Sequence, residues 1–164
     1  MLLKKMEKAL SGQINAEFYS SYLYMSMSVW FTSQNLTGMA KWMTVQAREE
    51  WVHGMKIHDF LLERGGRVTL GAVAAPPADF TSPLAVFQAA YKHEQKVTGL
   101  IGDLVDLAKA ENDHATGVFL QWFVSEQVEE EANAGRIVAK LEQVKDSPQG
   151  LFMMDAVLGK RGGE

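Results

Sequence analysis

Apolar residues open the chain at helical intervals: Met6, Leu10, Ile14, Phe18, Tyr22, Met25 and Val29. That spacing predicts one long helix from about Lys4 to Gln34. Asn35-Leu36-Thr37-Gly38 breaks the pattern, and Thr37 is placed to cap a second helix, over about 38–64. Met43, Ala47, Ile57 and Phe60 mark its inward side, and Gly65-Gly66 supplies a C-terminal stop. Ser82-Pro83 is a cap followed by proline at the first helical position. It opens a third helix, 83–110, carrying Leu84, Phe87, Tyr91, Val97, Ile101, Leu104 and Leu107. Asn112-Asp113 turns the chain into a fourth helix, 114–145, with Val118, Leu120, Phe123, Val124, Ile137, Leu141 and Val144. Ser147-Pro148 begins a short fifth helix, 148–158. Its Leu151, Phe152, Met153, Met154, Val157 and Leu158 are too apolar to be left in water, so packing on the bundle or on a partner subunit is expected.

Between the second and third helices, Arg67 to Thr81 has no helical period and contains Gly71 and Pro76-Pro77. A connection of that length in a compact domain needs a reason. A helix of this size is roughly 40 Å long, and an extended linker of this length can reach roughly 50 Å. The linker can therefore travel the length of a bundle and restart at its far end. The expected architecture is all-α: a four-helix bundle with one long crossover and a short fifth helix, in a single domain spanning 1–164.

Composition narrows the chemistry. The 164 residues are 47% hydrophobic and 22% charged, an ordinary globular balance, and the net charge of −4 gives no reason to expect a nucleic-acid partner. With no cysteine, disulfides, thiolate zinc sites and cysteine-held clusters are excluded. The N-terminus lacks a signal-peptide pattern, and no stretch is apolar enough to span a membrane, so the cytoplasm is the expected compartment.

Each long helix carries ionisable or polar residues where its inward stripe should be apolar. Glu17 follows Ile14; Glu50 and His53 follow Ala47; Glu94 interrupts Phe87, Ala90 and Val97; Gln127 and Glu130 interrupt Phe123 and Ala134. Glu17 to Glu50 and Glu94 to Gln127 are both separations of 33 residues. Glu49-Glu50-x-x-His53 aligns with Glu126-Gln127-x-x-Glu130 on a shift of 77. All lie near mid-helix, so four helices of similar length bring them into one layer. Several carboxylates and an imidazole in a dry core repel one another unless cations lie between them. Oxygen-rich ligation with one histidine suits iron, manganese or zinc.

Taken singly, each feature has a plainer reading. A glutamate and histidine three apart are common on solvated helix faces. Their joint placement on four core stripes is what argues for metal. Glu126, Glu129 and Glu131 read as solvated-face residues. Glu49, Glu126 and Glu129 nevertheless adjoin the site on the helical wheel, which leaves a third, weaker metal position open beside that reading. Tyr24 shares a face with Glu17, giving either a bundle aromatic or a site hydrogen bond with a redox role. Trp122 reads as a bundle aromatic, and His58, His93 and His114 as surface or capping residues.

Gln13-Ile14-Asn15-Ala16-Glu17, Glu49-Glu50-Trp51-Val52-His53 and Glu126-Gln127-Val128-Glu129-Glu130 resemble the site motifs of non-haem bacterial and archaeal ferritins. The resemblance covers essentially the whole chain. It implies a ferritin-like bundle and a ferroxidase centre. One iron would be held by Glu17, Glu50 and His53, and a second by Glu50, Glu94 and Glu130. Gln127 would bond to oxygen species or water. Glu49, Glu126, Glu129 and Glu130 resemble a third iron site. The family's behaviour implies a homo-oligomeric cage of 24 subunits that oxidises Fe(II) with dioxygen or hydrogen peroxide and stores ferric mineral. Gln127-x-x-Glu130 departs from the second Glu-x-x-His pair of bacterioferritins and rubrerythrins. Trp51 stands where bacterioferritin has its haem-ligating methionine, so no haem is expected. Val52 and Met55 replace mineral-nucleating acids of animal ferritins, so nucleation on that patch is not expected. Two readings compete with iron storage: a smaller di-metal redox enzyme, and a metal-free helical interaction module.

Overall fold

The apolar stripes fold into five helices in a computed structural model that describes residues 2–162. They are α1 (Lys4–Ser33), α2 (Thr37–Glu63), α3 (Pro83–Ala110), α4 (His114–Val144) and α5 (Pro148–Leu158). No strand occurs among the described residues. Side-chain pairings fix the directions. Ser28 Oγ donates to Ala40 O and Ser21 Oγ to Ala47 O, so α1 and α2 are antiparallel. Gln88 to Glu142 and Gln127 to Glu94 make α3 and α4 antiparallel as well. Phe31 meets Phe87 while Tyr24 meets Glu94, which sets α1 against α3 and leaves α2 parallel to α3.

That parallel relation obliges the segment between α2 and α3 to run the length of the bundle, and α1 fastens it on the way. Ser11 Oγ accepts from Thr69 N (3.2 Å), Asn15 Nδ2 donates to Ala72 O (3.0 Å), and Ser26 Oγ donates to Pro77 O (2.6 Å). Trp30 meets Phe80 at the top, with ring centroids 5.9 Å apart. Gly71 and Pro76-Pro77 keep the segment out of a helix, and these bonds to α1 satisfy some of the backbone groups that a helix would have paired.

The helix ends follow local chemistry. Ser82 and Ser147 side chains accept from Ala85 N and Gly150 N, and Asp113 accepts from Thr116 N. Gly65 takes a left-handed turn (φ 71°) just after α2, with Gly66 N bonding back to Leu61 O. Thr37 is not the cap of α2: it is the first helical residue, Leu36 precedes it, and neither side chain caps the helix. The reason is tertiary. Met39 N, which a cap would satisfy, donates instead to Asp155 Oδ1 of α5 at 2.8 Å. Gly38 permits that approach, since a Cβ there would overlap Asp155 O and lie 2.7 Å from Asp155 C.

The stripe expected for α1 also needs correction. Met6, Leu10 and Ile14 are buried, but Tyr22, Met25 and Val29 are exposed. Steps of four overshoot a turn by about 40°, so a run of them rotates out of the core. The buried track goes through Glu17, Tyr24, Met27 and Phe31. Val118 and Val124 of α4 are likewise exposed. Leu158 of α5 is buried and Leu151 and Met154 pack beside it, whereas Phe152, Met153 and Val157 remain in solvent.

The core divides in two. One cluster contains Tyr24, Met27, Phe31, Met43, Phe87 and Leu141; the other contains Met6, Leu10, Ile14, Ile57, Ile101 and Phe123. Between them lies a polar layer.

Candidate metal centre

The polar layer holds Glu17, Glu50, His53, Glu94, Gln127 and Glu130, each no more than 5% exposed. They arrive from the middles of all four long helices, and 3.6-residue periodicity returns positions 50 and 53, or 127 and 130, to one face. Glu17, Glu50 and His53 each offer an atom, and these atoms all lie within 4.8 Å of one another. Among the described residues this is the one group of three or more acidic or histidine side chains drawn so close. His53 Nδ1 is 3.4 Å from Glu50 Oε2.

Two glutamines to which the sequence pattern assigns no role hold these acids. Gln13 Nε2 donates to Glu17 Oε1 (2.8 Å), and Gln46 Nε2 donates to Glu50 Oε1 (2.7 Å). Both stand one helical turn before their glutamate, and they too are separated by 33 residues, so the repeat already seen in the acids could have revealed them. On the opposite side Tyr24 OH donates to Glu94 Oε1. Gln127 Nε2 donates to Glu94 Oε2 (3.2 Å) and to Glu94 O (3.3 Å), so its amide orients that carboxyl.

Two acceptors are left over. Glu17 Oε2 and Gln46 Oε1 are buried with no hydrogen-bond partner. Such groups are costly in a dry core. Burial pushes the Glu17 carboxyl up to about 8, helped by the charge of Glu50 and opposed by Gln13. Glu130 is pushed up to about 7, by burial and then by Glu94. Burial raises Glu50 well above the carboxylate range, with Glu94 and Glu130 adding to it. Glu94 is also raised by burial, against the donors Tyr24 and Gln127. Without cations, then, the layer is tolerated by keeping protons on its acids. The donor set of four carboxyls and one imidazole, with an orphaned oxygen beside His53 and Glu50, fits hard or borderline divalent ions such as Fe(II).

Around this layer, Trp122 packs edge-on against His53 with centroids 5.3 Å apart, and Lys56 Nζ lies 4.0 Å over its outer face. Trp122 is thus part of the histidine's wall. His93 is half-buried, not a surface group. Its Nε2 lies 2.7 Å from Ser20 Oγ, its ring meets Tyr24 edge-on, and burial, then Lys96, push its pKa down to about 4.

The residues expected at a third position are not gathered. Glu129 is exposed, Glu126 is half-buried, and Glu49 is paired with the Arg161 guanidinium. Only Glu130 of that set lies within the layer.

Known proteins share this plan. The family described as "Ferritin: Ferritin-like domain" matches residues 7–144. A bacterial non-heme ferritin of Bacteroides fragilis is 42% identical over 161 residues, covering 98% of this chain and 100% of the relative. A probable bacterial non-heme ferritin-like protein of Haemophilus influenzae is 39% identical, covering 97% and 96%. Among solved structures, an open-pore ferritin from the hyperthermophilic archaeon Archaeoglobus fulgidus superposes with a TM-score of 0.97 at 50% identity, covering 98% of this chain and 99% of that one.

Proposed function

The chain belongs to the ferritin family, and from that membership we propose that it oxidises Fe(II) in the acidic layer of each subunit and stores the ferric product. The observation that carries the reading is the orphaned Glu17 Oε2 beside Glu50 and His53, in an acid layer sealed between two apolar clusters. One Fe(II) is received by Glu17, Glu50 and His53. A second is received by Glu50, Glu94 and Glu130, with Glu50 shared. As each ion enters, the carboxyls that hold protons release them, and the metal takes over neutralising the pocket. Tyr24 and Gln127 keep Glu94 aimed, while Gln13 and Gln46 do the same for Glu17 and Glu50. In this assignment Gln127 acts through Glu94 instead of bonding to an oxygen species.

Two Fe(II) ions losing one electron each supply the two electrons that, with two protons, reduce dioxygen to hydrogen peroxide. Where hydrogen peroxide is the oxidant instead, the two electrons from a pair of Fe(II) ions, with two protons, reduce it to two waters. Ferric ions then leave toward the interior of a hollow homo-oligomer of 24 subunits working in the cytoplasm. No described helix is long and apolar enough to cross a membrane. Size-exclusion mass, followed by aerobic Fe(II) loading and electron microscopy, tests the proposal. A large assembly with dense cores is expected. A small oligomer that turns over Fe(II) without forming cores would favour a di-metal redox enzyme and overturn the storage role.

A further inference from the structure

Where α5 packs across α2 and α4 there is a cavity of about 270 Å³, and none of its lining residues belongs to the acidic layer. Three cationic side chains line it: Arg136 and Lys140 from α4, and Arg161 from just beyond α5. Trp42, Ile137 and Leu158 supply apolar lining between them. Arg161 is the fixed member. Its guanidinium pairs with Glu49, and the guanidinium carbon lies 4.2 Å over the ring of Trp42. Its segment is anchored by α2: Asp155 accepts from Met39 N, and the glycines Gly38 and Gly159 pack backbone to backbone.

The charges around this cavity do not balance. Arg136 and Lys140 stand one helical turn apart, where like charges repel. Among the described residues no carboxylate pairs with either, and Arg136 donates to the neutral Asn133 Oδ1. Glu49 is the one carboxylate bonded to any of the three cations. In a chain whose net charge is −4, this is a local excess of positive charge. A second observation points the same way: Nη1 of Arg161 is buried with no acceptor. A stranded donor of a charged group is costly, and an acceptor supplied from outside removes that cost. A tetrahedral oxyanion answers all of this at once. Its oxygens point in several directions, so donors converging from α4 and from the end of α5 can share it, whereas a planar carboxylate suits one guanidinium fork. We propose that the cavity binds a phosphate group, as the free ion or at the end of a small monoester, with Arg136, Lys140 and Arg161 as its donors. Bound there, it adds a charged link between α4 and α5, whose Ile137 and Leu158 share an apolar cluster. The site goes beyond the iron reading and does not depend on it.

The test is a calorimetric titration of the assembled protein, kept free of metal by chelator, with inorganic phosphate and separately with glycerol phosphate at matched ionic strength. The wild type should show saturable binding of one phosphate per subunit. If glycerol phosphate binds as tightly, the site takes a monoester; if it binds much more weakly, the site takes the free ion. Arg136 and Lys140 are exposed, so their replacement leaves the core intact. Arg136→Gln or Lys140→Gln should weaken phosphate roughly tenfold, the loss of one charge-assisted bond, and the double variant should abolish saturation. Arg161→Lys, which keeps the charge but gives up the second nitrogen, should weaken it severalfold. Lys5→Gln, an equal change of charge at an exposed position at the start of α1, should leave binding as it was. A second measurement uses the wild type alone: phosphate should slow hydrogen exchange in α5 severalfold and leave α1 unchanged. No saturable binding in the wild type, binding indifferent to the Arg136→Gln and Lys140→Gln pair, or an equal loss in Lys5→Gln overturns the inference. Because the protein carries no metal throughout, any of these results leaves the role of the acidic layer untouched.

Discussion

Replacing Glu17 by Gln should stabilise the metal-free protein while weakening its metal binding, and the first effect should depend on pH. In the fold the Glu17 carboxyl titrates at about 8, against an ordinary value of 4.5. A carboxyl with a raised folded pKa binds its proton more tightly when folded. Its contribution is therefore fully present below 4.5 and is lost as pH rises through that window to about 8. One pH unit corresponds to about 1.4 kcal/mol. At pH 7 the carboxyl thus costs the metal-free fold on the order of 3 kcal/mol, and above pH 8 on the order of 5 kcal/mol. The substituted amide would carry no charge, would still accept from Gln13, and could donate toward Glu50. For a chain of this size, about 3 kcal/mol corresponds to a midpoint increase of roughly 6–12 °C. Thermal unfolding in chelator at pH 5, 7 and 8.5, at one protein concentration, reads the difference. Glu17→Gln should match wild type near pH 5 and exceed it progressively above. Equal midpoints at pH 8.5 would refute the claim that Glu17 is a buried acid kept neutral by a proton. Added Zn(II) should reverse the order, raising the wild type far more than the variant.

Other outcomes follow from the same geometry. His53→Ala removes the one imidazole of the layer, and initial Fe(II) oxidation should slow roughly tenfold or more in stopped-flow absorbance; an unchanged rate would remove His53 from the site. Zn(II) binding should release protons at pH 6 and release fewer at pH 9, because Glu17 and Glu130, titrating at about 8 and about 7, are already ionised there. Weakly buffered titration with a pH indicator measures this, and pH-independent release would count against proton-held acids. Gly38→Ala drives a Cβ into the Asp155 carbonyl, so α5 must shift. A loss of about 2 kcal/mol or more is expected, with faster hydrogen exchange confined to α5 and the start of α2; uniform exchange across the bundle would contradict it.

The four long helices, their order and the reach of the crossover were legible because periodicity and glycine or proline punctuation report local chain chemistry. The acid layer was legible for a related reason: ionisable residues on an apolar stripe are anomalies visible without coordinates. What escaped was long-range. The cap of α2 comes from Asp155, far along the chain in α5, so Thr37 looked the better acceptor for that bond. Tyr22, Met25 and Val29 looked inward because a four-residue step resembles a helical period over two turns and departs from it over four. Gln46 gave no signal alone, since a glutamine on a helix is commonplace until its neighbour is known to be a buried acid. His93 looked like surface because its partner, Ser20, lies on another helix.

The acid layer is also a seam between two local hairpins. Glu17, Glu50 and His53 come from α1 and α2, while Glu94, Gln127 and Glu130 come from α3 and α4. Each hairpin can close through near-neighbour contacts, but their docking brings buried carboxyls face to face at the expense of their ionisation, and the long crossover is all that tethers them covalently. An ion held from both sides acts as a clasp. On the function proposed above, cargo entering the subunit would strengthen the container meant to hold it, and an empty subunit would be most easily prised apart where it waits to be filled.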